Sequence, residues 1–280
     1  MKRLIIVRGG GELATGVIHT LYRAGFRVLV LEQAKPYATR RRVAFSEAMY
    51  NGESTVERVT CYRASSVDEA KARLKKGELV MLKDAKAKCV KELKPLIVVD
   101  AIVAHENLGT TRDMAAHTIA LGPGFCAGRD VDVVVETMRG HNLGRLIYEG
   151  YSFREQNLEK STVGIDRNIE HLVFAPADGV VDTLHNISFM VNAGENIARL
   201  KTADDKTIDI KAGIDGVLRG ALHRGTPVKK GQKIADVNPT MSPDECFTIS
   251  DKARCIGGAV LTAVMIWESK QPKRSFFHRG

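Results

Sequence analysis

The stretch Leu4-Ile-Ile-Val-Arg-Gly-Gly-Gly-Glu-Leu-Ala-Thr-Gly16 decides the fold class. Its four leading apolar residues read as a strand, the glycines end it, and apolar spacing over 13–24 predicts a helix. Gly9, Gly11 and Ala14 fit the G-x-G-x-x-A spacing of a strand-to-helix turn. Such a turn brings backbone N–H groups and a helix N-terminus to a phosphate. Glu32 ends the next predicted strand, where an acidic side chain would meet a ribose hydroxyl. Tight strand–helix packing also needs a glycine turn, and Glu12 sets a negative charge at the phosphate position. Both readings, a bound dinucleotide or nucleotide and a purely structural turn, stay open here.

Outward from that turn, strands and helices alternate. Arg27–Glu32, 78–83 and 96–103 read as strands, the last almost wholly apolar, as in a parallel sheet covered on both faces. Val67–Lys75 carries helical spacing. This alternation predicts an α/β, Rossmann-like domain over residues 1–165. The polar segment 155–169 is the expected domain boundary.

Beyond it Ala175, Asp178, Gly179 and Val180 recur as Ala212, Asp215, Gly216 and Val217. Gly194, Ile197 and Ala198 recur in the same way as Gly231, Ile234 and Ala235, so the repeat is offset by 37 residues (216 − 179 = 37). Asp-Gly turns leading into short strands predict two related hairpin units that close a core together. The pattern resembles the biotinyl/lipoyl-type barrel-sandwich hybrid, placed at residues 166–240. Lys206 sits on the hairpin where those domains carry a modified lysine, although the spacing is a residue short and surface charge at a hairpin tip explains it more simply. Residues 241–270 predict a helix with Ser250 as N-cap, returning to pack on the first domain, and 271–280 a frayed basic tail. Glycines 257 and 258 inside that helix cost about 1 kcal/mol each against alanine, which a close backbone approach would explain.

Composition limits the function classes. Hydrophobic residues make up 44% and charged ones 27%, as in ordinary globular proteins. No secretory leader is expected, and no apolar run approaches the length that spans a bilayer. Five widely spaced cysteines without a CxxC pair read as reduced thiols of a cytoplasmic protein, with no metal site. The net charge of +9 suits an acidic or phosphate-bearing partner. It is spread along the chain without aromatic interleaving, which argues against nucleic acid.

The remaining candidates lie in loops and strand ends. Arg40, Arg41 and Arg42 could hold a nucleotide or pterin phosphate bidentately, or form a solvated basic turn or intersubunit contact. They precede an expected amphipathic helix over 43–50. Asp100 within an apolar strand needs a partner or a role, with His105 nearby. Cys126, near Arg129, is a candidate for sulfur or selenium handling, against the plainer reading of a small buried hydrophobe. His141 beside Arg139 reads as a base or an anion contact. Val131–Val135 reads as a buried strand between two glycine-rich loops.

Longer words then recur in order: GGGELATG, RRRVAFSEAMYNG, VVDAIVA, NLGT, IALGPGFCAG, DVDVVVETMRGHNLGR, FAPADG and ISDKARCIGG. Through them the chain resembles the YqeB-type accessory proteins of the selenium-dependent molybdenum hydroxylase system, over about residues 1–267. The resemblance implies a maturation factor that binds a nucleotide-bearing ligand or the molybdenum cofactor. Its partners would be an apo-hydroxylase or other maturation proteins, with a homo-oligomer also open. It implies no defined reaction, so catalytic residues remain candidates only: Cys126, Asp100 and His141. Two alternatives stay open: an NAD(P)-dependent oxidoreductase of a small metabolite, and a non-catalytic scaffold with a vestigial Rossmann turn.

Overall fold

The computed structural model describes residues 3–104, 106–153 and 171–271. The expected linker at 155–169, His105 and the tail from 272 lie outside them. In chain order the first strands are β1 Leu4–Arg8, β2 Arg27–Glu32, β3 Glu53–Val56, β4 Val59–Ala64, β5 Leu79–Lys83 and β6 Ile97–Asp100. They continue as β7 His117–Leu121, β8 Cys126–Ala127, β9 Val133–Val135, β10 Leu146–Ile147 and β11 Gly150–Tyr151. The helices are α1 Glu12–Arg23, α2 Ala48–Asn51, α3 Val67–Lys75, α4 Val90–Leu93 and α5 Asp251–Ser269.

Nine strands form one mixed sheet, ordered β10-β9-β7-β6-β1-β2-β5-β4-β3. Its centre is parallel, while β3 and β10 at the edges are antiparallel. Successive residues of a strand face opposite sides. Ile5, Val7, Val28, Val30, Ile97 and Val99 therefore join one core under α1 and α5. Leu4, Ile6, Leu29, Leu31 and Val98 join another under α3 and the 87–93 segment. Burial on both faces explains why these strands read as continuous apolar runs.

The C-terminal part adds β12 Leu172–Phe174, β13 Gly179–Thr183, β14 Met190–Val191, β15 Asn196–Lys201, β16 Thr207–Lys211, β17 Gly216–Ala221, β18 Thr226–Val228 and β19 Lys233–Asn238. They form two four-stranded antiparallel sheets, β12-β19-β17-β14 and β16-β15-β13-β18. The repeat is interleaved, because β13 of the first copy pairs with β18 of the second and β17 of the second with β14 of the first. The two Asp-Gly turns brace it reciprocally. Asp178 accepts the Lys230 N–H at 2.8 Å, and Asp215 accepts the Ala193 N–H at 2.7 Å.

The chain is thus mainly a large mixed sheet with helices, which corrects the expected Rossmann-like domain followed by a barrel-sandwich hybrid. A doubly wound sheet returns each parallel strand through a helix. Here the described connections from β6 to β7 and from β7 to β9 contain no α-helix, and α2 and α4 have four residues each. β7 and β9 are covered instead by α5, from the far end of the chain. Apolar runs report burial on both faces but not which element supplies the cover. The amphipathic helix expected over 43–50 is also corrected. Short 3-10 turns at Arg41–Val43 and Phe45–Glu47 lead into the single turn α2.

Candidate anion site at two helix N-termini

The chain leaves β1 through Gly9, whose φ of +93° favours glycine. A Cβ there would lie 2.9 Å from the Ala101 carbonyl oxygen, so the turn sits tightly against the end of β6. Gly10 donates its N–H to Glu32 Oε2, and Gln33 donates to Glu32 Oε1, each at 2.8 Å. Burial raises the Glu32 pKa, and those two N–H groups partly oppose the rise. Glu32 therefore clamps the glycine turn. Gly11, the N-cap of α1, has extended backbone, no side-chain cap, and open space where a Cβ would stand. Ala14 is buried beneath it.

Helices α1 and α5 run parallel in contact, because Gly16 meets Ala253 and Gly257 meets Gly16 and Thr20. Their N-termini consequently lie at the same end. Ser250 caps α5 by accepting from the Ala253 N–H, and its hydroxyl donates to Glu12 Oε1 at 2.8 Å. Each helix start carries roughly half a positive charge from its aligned peptide dipoles.

Beside α1 opens a cavity of about 220 Å³. Gly11–Ala14, residues 37–40 and residues 101–103 line it. Arg40, 7% exposed, ion-pairs through Nη1 with Glu12 Oε1. Its Nε is buried without a hydrogen-bond partner among the described residues. Glu12 is thus a partner of Arg40 and Ser250, and the negative charge noticed in the sequence is matched. Val103 sits in this wall with φ +59°, a conformation that costs a β-branched residue on the order of 1–3 kcal/mol.

Other candidates join this place or depart from it. Arg139 reaches it indirectly, with Nη1 3.3 Å from Asp251 in the first turn of α5. Arg41 turns away, donating from Nε to the Ala221 carbonyl at 2.7 Å, with Nη1 3.9 Å from Glu47. Asp100 is buried with Arg8 3.4 Å away and accepts from Thr110 Oγ1 at 2.6 Å. Burial raises its pKa, with Thr110, Arg8 and the Ile102 N–H opposing. Cys126 is half-buried and pairs with Tyr151 across β8 and β11. Neighbouring Arg129 is bound to Asp130 at 2.9 and 3.0 Å, so its charge is matched. His141 is exposed on the loop before β10. Lys206 pairs with Asp204 at 2.7 Å.

Sequence reading passed over Arg8 and Val103, and read Ser250 only as a helix cap. Arg8 is a charged residue at the end of an apolar strand, the same signal that drew attention to Asp100, and the two are partners.

No protein-family model matches the chain. Solved structures with some likeness include a succinylglutamate desuccinylase/aspartoacylase from Rhodobacter sphaeroides, at 23% identity over 25% of this chain and 22% of that one, TM-score 0.24. Another is the apo ectoine utilization protein EutE (DoeB) from Ruegeria pomeroyi, at 12% identity over 84% of this chain and 86% of that one, TM-score 0.28. A third is an aspartoacylase family protein from Mesorhizobium loti, at 10% identity and 85% of each chain, TM-score 0.28. Likeness at this level carries no argument about fold or activity. Sequence similarity is much stronger to the uncharacterized protein YqeB of Escherichia coli (strain K12), 42% identical over 264 residues, covering 94% of this chain and 48% of that protein. The chain is therefore similar to YqeB over nearly all of its own length, and spans about half of YqeB's.

Proposed function

We propose that the cavity at the start of α1 binds a phosphate group of a nucleotide-bearing ligand, and that the chain acts as an accessory factor in maturing molybdenum hydroxylases. One observation carries the binding site: the uncapped start of α1, beside the parallel start of α5, opens onto a cavity lined by Arg40, a buried guanidinium whose Nε has no hydrogen-bond partner among the described residues. A phosphate accepting from the first-turn N–H groups of α1 would lie beside the Arg40 guanidinium, which favours its charge. Size limits what enters. Ligand pockets for whole small molecules run to roughly 300–1,000 Å³, whereas this cavity offers about 220 Å³. It admits a phosphate and leaves the rest of a nucleotide or pterin ligand outside.

The maturation role rests on the resemblance carried by the ordered motif run, and the YqeB likeness supports only the YqeB side of that resemblance. The apo-hydroxylase or another maturation protein is the partner in this reading.

Gly11→Asp tests the site cleanly. The N-cap backbone already suits aspartate and the Cβ meets nothing, so the fold should keep its melting temperature or gain slightly. The added carboxylate would repel phosphate. Calorimetric titration with ADP should show a binding step in the native chain that the variant weakens at least about tenfold. Equal affinity in both rejects the site. For the wider role, cells lacking the protein should accumulate hydroxylase polypeptide without its selenium; full selenium content would refute it.

A further inference from the structure

On the opposite face of the large sheet, away from α1 and α5, the β5–β6 and β6–β7 connections flank a groove of about 800 Å³. Lys86, Lys88, Lys91 and Lys94 project from the first connection, and Asp113 is the one carboxylate in the lining. Nearby acids do not neutralise these lysines. Asp84 accepts the Cys89 N–H at 2.8 Å, Glu92 is bound by Lys71, and Asp113 accepts from the Thr111 hydroxyl. None of the four lysines has a carboxylate within 4.0 Å among the described residues. The floor is apolar, with Ala87, Val90 and Pro95 buried and Met114 and Ala115 half-buried.

One buried group ties the two connections together next to the groove. Buried Arg8 donates from Nη2 to the Ala85 and Leu108 carbonyls, each at 3.0 Å, and its other end meets Asp100 and Thr110. A groove of ligand-pocket size, positive at one rim and apolar at its base, focuses an anion's approach. Four like charges along one wall repel each other, and none has a carboxylate partner among the described residues.

We infer that this groove is a second ligand site, for a small anion carrying two or more phosphates on an apolar ring. The phosphates would lie along Lys86–Lys88–Lys91–Lys94 and the ring on Met114 and Ala115. A nucleoside polyphosphate and free pyrophosphate share the anionic part, and only the first uses the floor.

Titration of the full chain with ATP and with pyrophosphate, at low and at physiological salt, tests this. The groove predicts an ATP site that Gly11→Asp leaves intact, that weakens steeply with salt, and that the pair Lys88→Glu and Lys91→Glu weakens at least about tenfold at unchanged melting temperature. Met114→Asn, which removes apolar floor without adding charge, should weaken ATP while sparing pyrophosphate. Equal affinity for pyrophosphate and ATP would overturn the ring's place on the floor. Loss of all binding in Gly11→Asp, or unchanged ATP affinity in the double lysine variant, would overturn the groove without touching the α1 site. If the groove retains ATP while Gly11→Asp changes nothing, the α1 site fails and the groove stands.

Discussion

Arg40 shows how a residue's surroundings set its meaning. As one of three consecutive arginines it reads as a surface cluster, yet it is buried, paired with Glu12, and left with one unpartnered N–H. Arg41, next in sequence, serves a different end by holding Ala221. Another buried group makes a pH prediction at this scale. His117 on β7 stacks on Trp267 at 5.5 Å, with Asp132 3.4 Å away and Arg112 and Lys270 also facing it. Burial lowers its pKa, and Asp132 only partly opposes this. The unfolded chain, with a histidine pKa near 6.5, then binds the proton more readily than the folded one. This contribution to stability is present above about pH 6.5 and is lost as pH falls toward the folded value. Urea midpoints should drop between about pH 7 and pH 5, and His117→Gln should flatten that slope relative to wild type. An identical slope in the variant would reject the assignment.

At the scale of elements, α1 and α5 place the proposed phosphate site because small residues let them touch. A Cβ at Gly257 would stand 2.5 Å from the Gly16 carbonyl oxygen, while one at Gly258 meets nothing. Adjacent glycines should therefore respond with opposite signs. Gly258→Ala is expected to stabilise by about 1 kcal/mol through helix propensity. Gly257→Ala should destabilise by about 1–3 kcal/mol through overpacking, and should weaken ADP binding by prising the helix starts apart. Chemical denaturation of both variants measures this; equal effects would mean that the helices are not in register as described. The glycines themselves were legible in the sequence as a cost that needed a reason. Their partner was not, since Gly16 lies more than 200 positions away and carries no mark of which helix approaches it.

For the molecule as a whole, the junction between the large sheet and the paired smaller sheets is polar and specific. Ala221 donates its N–H to the Thr39 carbonyl at 2.9 Å and accepts from Arg41. His223 lies 2.8 Å from Glu47 Oε2 and its ring is 4.0 Å from that of Tyr50. Glu47 is buried and its other oxygen has no hydrogen-bond partner among the described residues. His223→Ala removes the hydrogen-bond partner of a buried carboxylate, leaving only Arg41 at 3.9 Å, and should cost about 1–3 kcal/mol. Hydrogen exchange should then rise across residues 216–238 and 39–50 before it rises in β1 and β6. Uniform protection in the variant would show that the junction does not couple the two parts. Because residues 37–40 belong to both this junction and the cavity wall, loosening one should weaken ADP binding at the other.

Local patterns by themselves settled much of the material. The strand at Arg27–Glu32, the helix at Val67–Lys75, the glycine turn, the Ser250 cap and the repeat offset all follow from periodicity, turn chemistry and capping, which act over a few residues. Only the tertiary structure decided the strand order with its antiparallel edges, the interleaving of the repeat, and the cover of β7 and β9 by α5. It also decided that Glu12 neutralises Arg40 and that Glu32 clamps the turn. The physical reason is common to all of these. An apolar run records that a face is buried and a charged residue records that a partner is needed, but burial and charge pairing are non-local, and the sequence does not name the element that answers them.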